Sequence, residues 1–319
     1  MAQPNHDPTA GDVLGVYLTS QATAFLRALR LHDAGAAGMS DAAESGEAAR
    51  GLRGAARRIS GSLATFRGVT ESSWADGLRT ELVWLSTTLA DEHAYAARLA
   101  RLMDALHRLS GSSSADVPAP RTGGGALTVG SARAGALLER QLTLARTRAH
   151  SATLQALGSA RFHAVADAVA VLASEVPLNL VAARGRVSEV LAPLAEVAEI
   201  RLATAVEALP PADHTHPYDC DHDGLWHEVR RLLRTHRYAR EALGGDVARL
   251  SAAGEALDRH RDAAEAAAAS ATAARTPRIA PATAYALGVL HADQRHEVEA
   301  ARAAFQAIWL PEPVTITPR

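Results

Sequence analysis

The chain has no lysine: all 33 of its basic residues are arginine. A basic residue here is therefore always a permanently charged planar fork, the geometry that matches phosphate and carboxylate oxygens. The preference for arginine and alanine is also what a GC-rich genome produces, so it carries no function by itself. One cysteine, Cys220, excludes an intramolecular disulfide and is compatible with a reducing cytoplasm. Aromatic residues make up only 4% of the chain, and no recognised nucleic-acid motif is present, which argues against a nucleic-acid partner. The net charge of -2 excludes a global basic field, so any polyanion site must arise from local clustering. There is no Walker-type glycine loop, serine nucleophile elbow or pair of catalytic carboxylates, and neither an enzyme nor a cofactor is expected. Met1 to Thr9 lacks a basic-then-apolar secretory pattern, and no apolar run reaches the length of a membrane span. These absences lead to the expectation of a soluble, cytoplasmic protein with no membrane partner.

What is abundant is alanine and leucine, both strong helix formers, in a chain that is 48% hydrophobic. After a polar tail over residues 1–10, apolar residues recur at helical spacing from Val13 to Leu29. Further helices are predicted from about Ala42 to Arg67, Ser73 to Leu109, Ser131 to Leu157 and Ala160 to Ser174. The rhythm continues from Val187 to Leu209, Asp223 to Leu243, Val247 to Arg275 and Pro281 to Trp309. No segment of useful length alternates with the two-residue period of a strand. The stretch Ser110 to Gly125, rich in Ser, Gly and Pro, reads as a flexible surface loop, taken to extend over 110–130. Long helices joined by short loops predict an all-α bundle architecture.

Two of these helices carry the same charged pattern. Arg50, Arg53 and Arg57 in the second are matched at one constant offset by His227, Arg230 and Arg234 on a helix in the other half of the chain. Arg237 adds a fourth rung, whose counterpart is Ser60. Spacing of i, i+3, i+7 and i+10 confines the rungs to an arc of about 80° over about 15 Å of helix axis. Such a stripe needs acidic partners, solvent or an anion to offset its repulsion, and an elongated polyanion would engage all rungs together. Glu241, four residues beyond Arg237, is a candidate internal partner.

The same residues carry a resemblance to the CHAD family of α-helical domains, whose first motif has the form H-x-x-R-V-x-x-R-R-x-R. Here it is Arg50-Gly-Leu-Arg53-Gly-Ala-Ala-Arg57-Arg58-Ile-Ser60, followed by Leu63 and Phe66, so the histidine and the last arginine are replaced. The second motif, L-H-x-x-R-x-x-x-K-x-x-R-Y-x-x-E, is met by Trp226-His227 through Arg230, Arg234, Arg237-Tyr238 and Glu241. Leu82-Val-Trp84-Leu85 resembles an L-R-W-L element, although the arginine and aspartate that should follow are missing at His93 and Ala94. Ser159-Ala-Arg161-Phe162, Leu257 to Asp262 with His260, and Ala286 to His291 resemble further elements, in the family's order. The resemblance implies two pseudo-symmetric four-helix bundles of long antiparallel helices around a basic central cleft, divided here as 11–176 and 177–319. It also implies non-enzymatic binding of inorganic polyphosphate, or another phosphate or sulfate polyanion, at cytoplasmic polyphosphate granules. The residues it marks for binding are Arg50, Arg53, Arg57, Arg58, Arg161, His227, Arg230, Arg231, Arg234, Arg237, Tyr238, His260 and His291. With the first motif depleted, the C-terminal ladder is expected to carry most of the binding; a homodimer is compatible with the sequence.

Two other readings stay open at this point. One is a degenerate helical scaffold that has lost anion binding. The other is a metal-dependent hydrolase built on His214, His216, Cys220 and His222 in the densest run of metal-ligand types, although their spacing matches no known site and Asp221 or Asp223 there suits a helix cap. No metal site is therefore expected.

Overall fold

The computed structural model describes residues 7–36, 42–111, 124–210 and 220–310. Among them the chain forms ten helices and no strand: α1 (Ala10–Ala36), α2 (Ala42–Thr65), α3 (Ser72–Gly111), α4 (Gly124–Leu157), α5 (Ala160–Ser174), α6 (Leu180–Ala183), α7 (Val187–Glu207), α8 (Asp223–Ala242), α9 (Ala248–Ala274) and α10 (Pro281–Trp309). The all-α expectation holds, and α5 and α10 begin and end where the periodicity placed them. Two details differ. α4 starts seven residues earlier than Ser131, and α6 is a single turn too short for periodicity to register. The core of the expected loop, 112–123, lies outside the described residues, as do 1–6 of the expected tail. No single helix among the described residues is long and apolar enough to cross a membrane.

Helix ends follow local chemistry. Thr9 and Asp12 close the start of α1, with Thr9 N donating to the Asp12 carboxylate at 3.0 Å and Asp12 N donating to Thr9 Oγ1 at 3.2 Å. Glu71 accepts from the backbone of Ser73 and Trp74 at 3.2 and 2.7 Å and caps α3, while Ser159 caps α5 by accepting from Phe162 N. α8 stops at Gly244, whose φ of +69° is a left-handed conformation that a Cβ would disfavour.

The chain divides into two compact units, each drawn from three stretches: residues 1–91, 149–206 and 231–247 in the first, and 92–148, 207–230 and 248–319 in the second. Each has its own apolar core. In the first, Leu14, Leu18, Ala22 and Phe25 of α1 pack with Leu52, Ile59 and Leu63 of α2, Leu82 and Leu85 of α3, and Val169 and Leu172 of α5, all fully or almost fully buried. In the second, Leu102 of α3, Leu138 of α4 and Leu287 and Leu290 of α10 close over the alanine face of α9, where Ala266 and Ala273 have no exposure. Removing about 25 cal/mol of apolar free energy per Å² from contact with water is what holds each of these helix faces inward. α3, α4 and α8 each contribute one part to each unit, so the positions at which the charged residues of α8 fall decide which unit they belong to.

Candidate anion-binding site

In the first unit α2, α3 and α8 line an open cavity of about 290 Å³. Arg57 reaches it from α2, Arg79 from α3, and Arg231 and Arg234 from α8; hydroxyls come from Ser60, Ser86 and Thr235. Its wall contains no acidic residue. The Arg57 Nε is buried without a hydrogen-bond acceptor, a position that costs free energy unless something supplies one. Tyr238, 3% exposed, forms part of the wall and sits against Gly61, where a Cβ would lie only 2.7 Å from Tyr238 Cδ2. Glycine at this position is what lets α8 present its tyrosine so closely to α2.

Beside this cavity, further cations marked by the motifs pair with carboxylates. Glu241 accepts from Arg58 Nε at 2.9 Å and from the Tyr17 hydroxyl at 3.2 Å, and Arg237 Nε lies 3.3 Å from its second oxygen. The guanidiniums of Arg58 and Arg237 also lie over the Tyr238 ring, 5.6 and 5.3 Å from its centre. Burial and the neighbouring Glu241 charge push the Tyr17 phenol well above its ordinary range, so it remains a donor. Glu241 thus has more cationic partners than the single one anticipated from its spacing to Arg237. Arg161 donates to Glu81 at 2.6 Å and stacks over Trp84 at 4.0 Å. Arg50 is exposed near the start of the α2 ladder, and Arg53 is half-buried one turn on.

The remaining marked residues fall in the second unit. His227 meets the His260 ring edge-on at 5.7 Å. Burial lowers its pKa most, Asp223 and Glu265 oppose that, and Arg230 and Arg261 add to it, so the neutral ring is favoured. Arg230 is paired with Asp258. His291 donates from Nδ1 to the carbonyl of Ala267, 3.0 Å away, which fixes its tautomer. His260 is only 1% exposed, so its ring is enclosed by protein on every side. Stacked on Trp226 at 5.5 Å, it accepts at Nε2 from Arg302 Nε at 3.3 Å; Asp223, at 3.5 Å, is too far for a good hydrogen bond. Asp223 binds the two almost fully buried arginines, Arg295 at 2.6 Å and Arg302 at 2.7 Å. Burial resists ionisation of this carboxyl, but the hydrogen bonds and charge of Arg295 outweigh it, and its pKa falls to about 2. Asp223 opens α8, yet its side chain serves these arginines.

The ladders therefore resolve into different local roles. Two of the four guanidiniums at the cavity come from N-terminal helices, including Arg79, which the motifs did not mark. It stands at i, i+4 and i+7 with Val83 and Ser86 on one face of α3, a spacing that was legible once α3 was known to border the α2 ladder. Arg295 and Arg302 were also unmarked. Among the described residues no group of three or more His, Cys, Asp and Glu is placed to hold a metal, and most of the candidate loop, 211–219, lies outside them.

Comparison with known proteins agrees with the motif pattern. None of the curated proteins compared matches the chain. Among solved structures, PptA from Streptomyces chartreusis is similar, with 60% sequence identity, a TM-score of 0.79, and alignment over 95% of this chain and 99% of that one. The CHAD domain from the plant Ricinus communis shares the fold at 20% identity, with a TM-score of 0.57 over 94% of this chain and 93% of its own. The CHAD domain family model matches residues 20–269, and the chain belongs to the CHAD domain family.

Proposed function

We propose that this protein binds inorganic polyphosphate, or a related phosphate or sulfate polyanion, without catalysing a reaction. The observation that carries this reading is the cavity of the first unit, where four arginines line a space whose wall holds no carboxylate. Guanidiniums form charge-assisted, often bidentate bonds with phosphate oxygens, and an anion there would supply the acceptor that Arg57 Nε lacks. Membership in a polyphosphate-associated family points the same way. Retention at cytoplasmic polyphosphate granules follows from the same chemistry.

The test is a titration of the full chain with long-chain polyphosphate at low salt. Binding is expected, and its logarithm should fall linearly with the logarithm of salt concentration, by the counterion release that governs other polyanion complexes. Absence of binding at low salt would show the reading to be wrong. A helical scaffold without anion binding is the second reading, and the engagement of Arg58 and Arg237 by Glu241, and of Arg161 by Glu81, favours it. Replacing Arg231 and Arg234 with Ala separates the two: a polyanion binder loses affinity for polyphosphate, whereas a scaffold has none to lose.

A further inference from the structure

Resting on that reading, we propose that the α2–α3–α8 cavity is a self-contained site for a compact phosphate anion, a short oligophosphate or the end group of a longer chain. In it, Arg79 supplies from α3 the cation that the first motif lacks at Ser60.

Size is the first argument. At about 30 Å³ per water in the liquid, a space of about 290 Å³ holds the equivalent of roughly ten waters. That suits a few phosphate units at a time. The lining runs from Arg57 to Ala64 on α2, from Arg79 to Ser86 on α3 and from Arg231 to Tyr238 on α8. Each span is two helical turns, or about 10 Å of axis, so the three walls are matched in length around a compact ligand.

The second argument is the side chain at position 60. Where the motif has arginine, Ser60 is 8% exposed and lines the space with a hydroxyl. A short residue there leaves volume that an arginine would fill, and the charge returns from the opposite wall as Arg79. Arg79 is available for this because its carboxylate neighbour is already well held. Asp76 takes two bonds from Arg67 Nε and one from Arg67 Nη2, at 2.7 to 3.1 Å, whereas Arg79 stands 3.7 Å from it. A half-exposed pair at that distance contributes little. Tyr238, drawn in by Gly61, contributes to the remaining wall, and Glu241 holds Arg58 and Arg237 outside.

The experiment is calorimetric titration of the full chain at low salt with tripolyphosphate and, separately, with long-chain polyphosphate, for the wild type, Arg79→Met, Arg79→Lys and Arg146→Met. Arg146 is an exposed arginine of the second unit, 3.9 Å from Glu92, and controls for the loss of one positive charge. Tripolyphosphate is expected to bind one per chain. Arg79→Met should weaken it about tenfold or more, as the loss of a charge-assisted bond predicts, Arg79→Lys by less, and Arg146→Met less than about twofold. For long-chain polyphosphate, affinity expressed per chain end should be close to that of tripolyphosphate, which identifies the end group as the bound unit. Failure of tripolyphosphate to bind while the long chain binds overturns the inference and leaves polyphosphate binding standing, as does equal weakening by Arg79→Met and Arg146→Met. If neither anion binds, the proposed function falls with it. Because Arg79 is a partly exposed side chain whose removal leaves the Arg67–Asp76 pair intact, thermal melts of its variants should stay within a few degrees of the wild type.

Discussion

Replacing Asp223 with Asn should destabilise the second unit by about 3 kcal/mol. The carboxylate accepts from Arg295 Nη1 at 2.6 Å, Arg295 Nη2 at 3.3 Å and Arg302 Nη2 at 2.7 Å, and both arginines are almost completely buried. Two independent routes give the size of the loss. Its pKa of about 2 against an ordinary 3.8 means that ionised Asp223 is favoured by the fold by about 2 kcal/mol, at about 1.4 kcal/mol per unit. Deleting one partner of a buried ion pair costs about 3–5 kcal/mol when the charge left behind loses its counterion; Arg302 keeps Glu299 at 2.8 Å, which puts the loss at the lower end of that range. Urea unfolding followed by far-UV circular dichroism and tryptophan fluorescence measures it, since Trp226 lies under Arg302 at 5.4 Å. The pH dependence supplies a second check. A folded pKa below the unfolded one makes this stabilisation fully present above about pH 4 and lost as pH falls toward 2, so the gap between wild type and variant should close over that window. A loss below about 1 kcal/mol at pH 7, or a gap that stays constant down to pH 2, would refute the assignment of Asp223 as the counterion of both arginines.

Glu241→Gln should release Arg58 and Arg237 toward an anion, raising affinity for polyphosphate severalfold and steepening its salt dependence; a fall in affinity measured by the same titration would show that Glu241 orders the site instead. Gly61→Ala would place a Cβ at 2.7 Å from Tyr238, and a cost of about 1–3 kcal/mol is expected in chemical denaturation, together with weaker oligophosphate binding as Tyr238 is displaced. His260 and His236 have pKa values lowered chiefly by burial, so they bind protons more readily unfolded than folded. Stability should therefore fall as pH drops through about 6.5, which urea midpoints at pH 7.5 and 5.5 would reveal.

How much of this could be read from the chain depends on the range of the interaction that fixes each feature. Helix positions are local: the apolar stripe Leu78–Leu82–Leu85 is periodic in sequence, and it lies buried. α6 escaped because one turn has no period, and its start depends on Asn179 accepting from the amides of Val181 and Ala182. The early start of α4 escaped because the glycines at 124 and 125 disfavour a helix on propensity alone. The charged ladders are equally visible as patterns, but what each rung does is decided by residues far away in sequence. Arg58 meets Glu241 across 183 positions, and Arg302 meets Asp223 across 79.

The consequence for the site is a change in what a matching ladder means. Repetition of Arg50, Arg53 and Arg57 by His227, Arg230 and Arg234 suggested equivalent rungs, yet the fold gives the rungs unequal chemistry. Arg230 is committed to Asp258, while Arg57, the partner of Arg234 in the repeat, retains a buried Nε without an acceptor. Arg57 and Arg234 themselves meet at one cavity, and there the missing rung at Ser60 opens space that Arg79 enters from a helix outside the repeat. Electrostatic attraction for an anion depends on the cations whose counter-charges lie elsewhere, not on the number of arginines in a stripe. A departure from the motif can therefore reshape a binding site without emptying it of charge, and Ser60 with Arg79 is the pair of positions at which that can be measured.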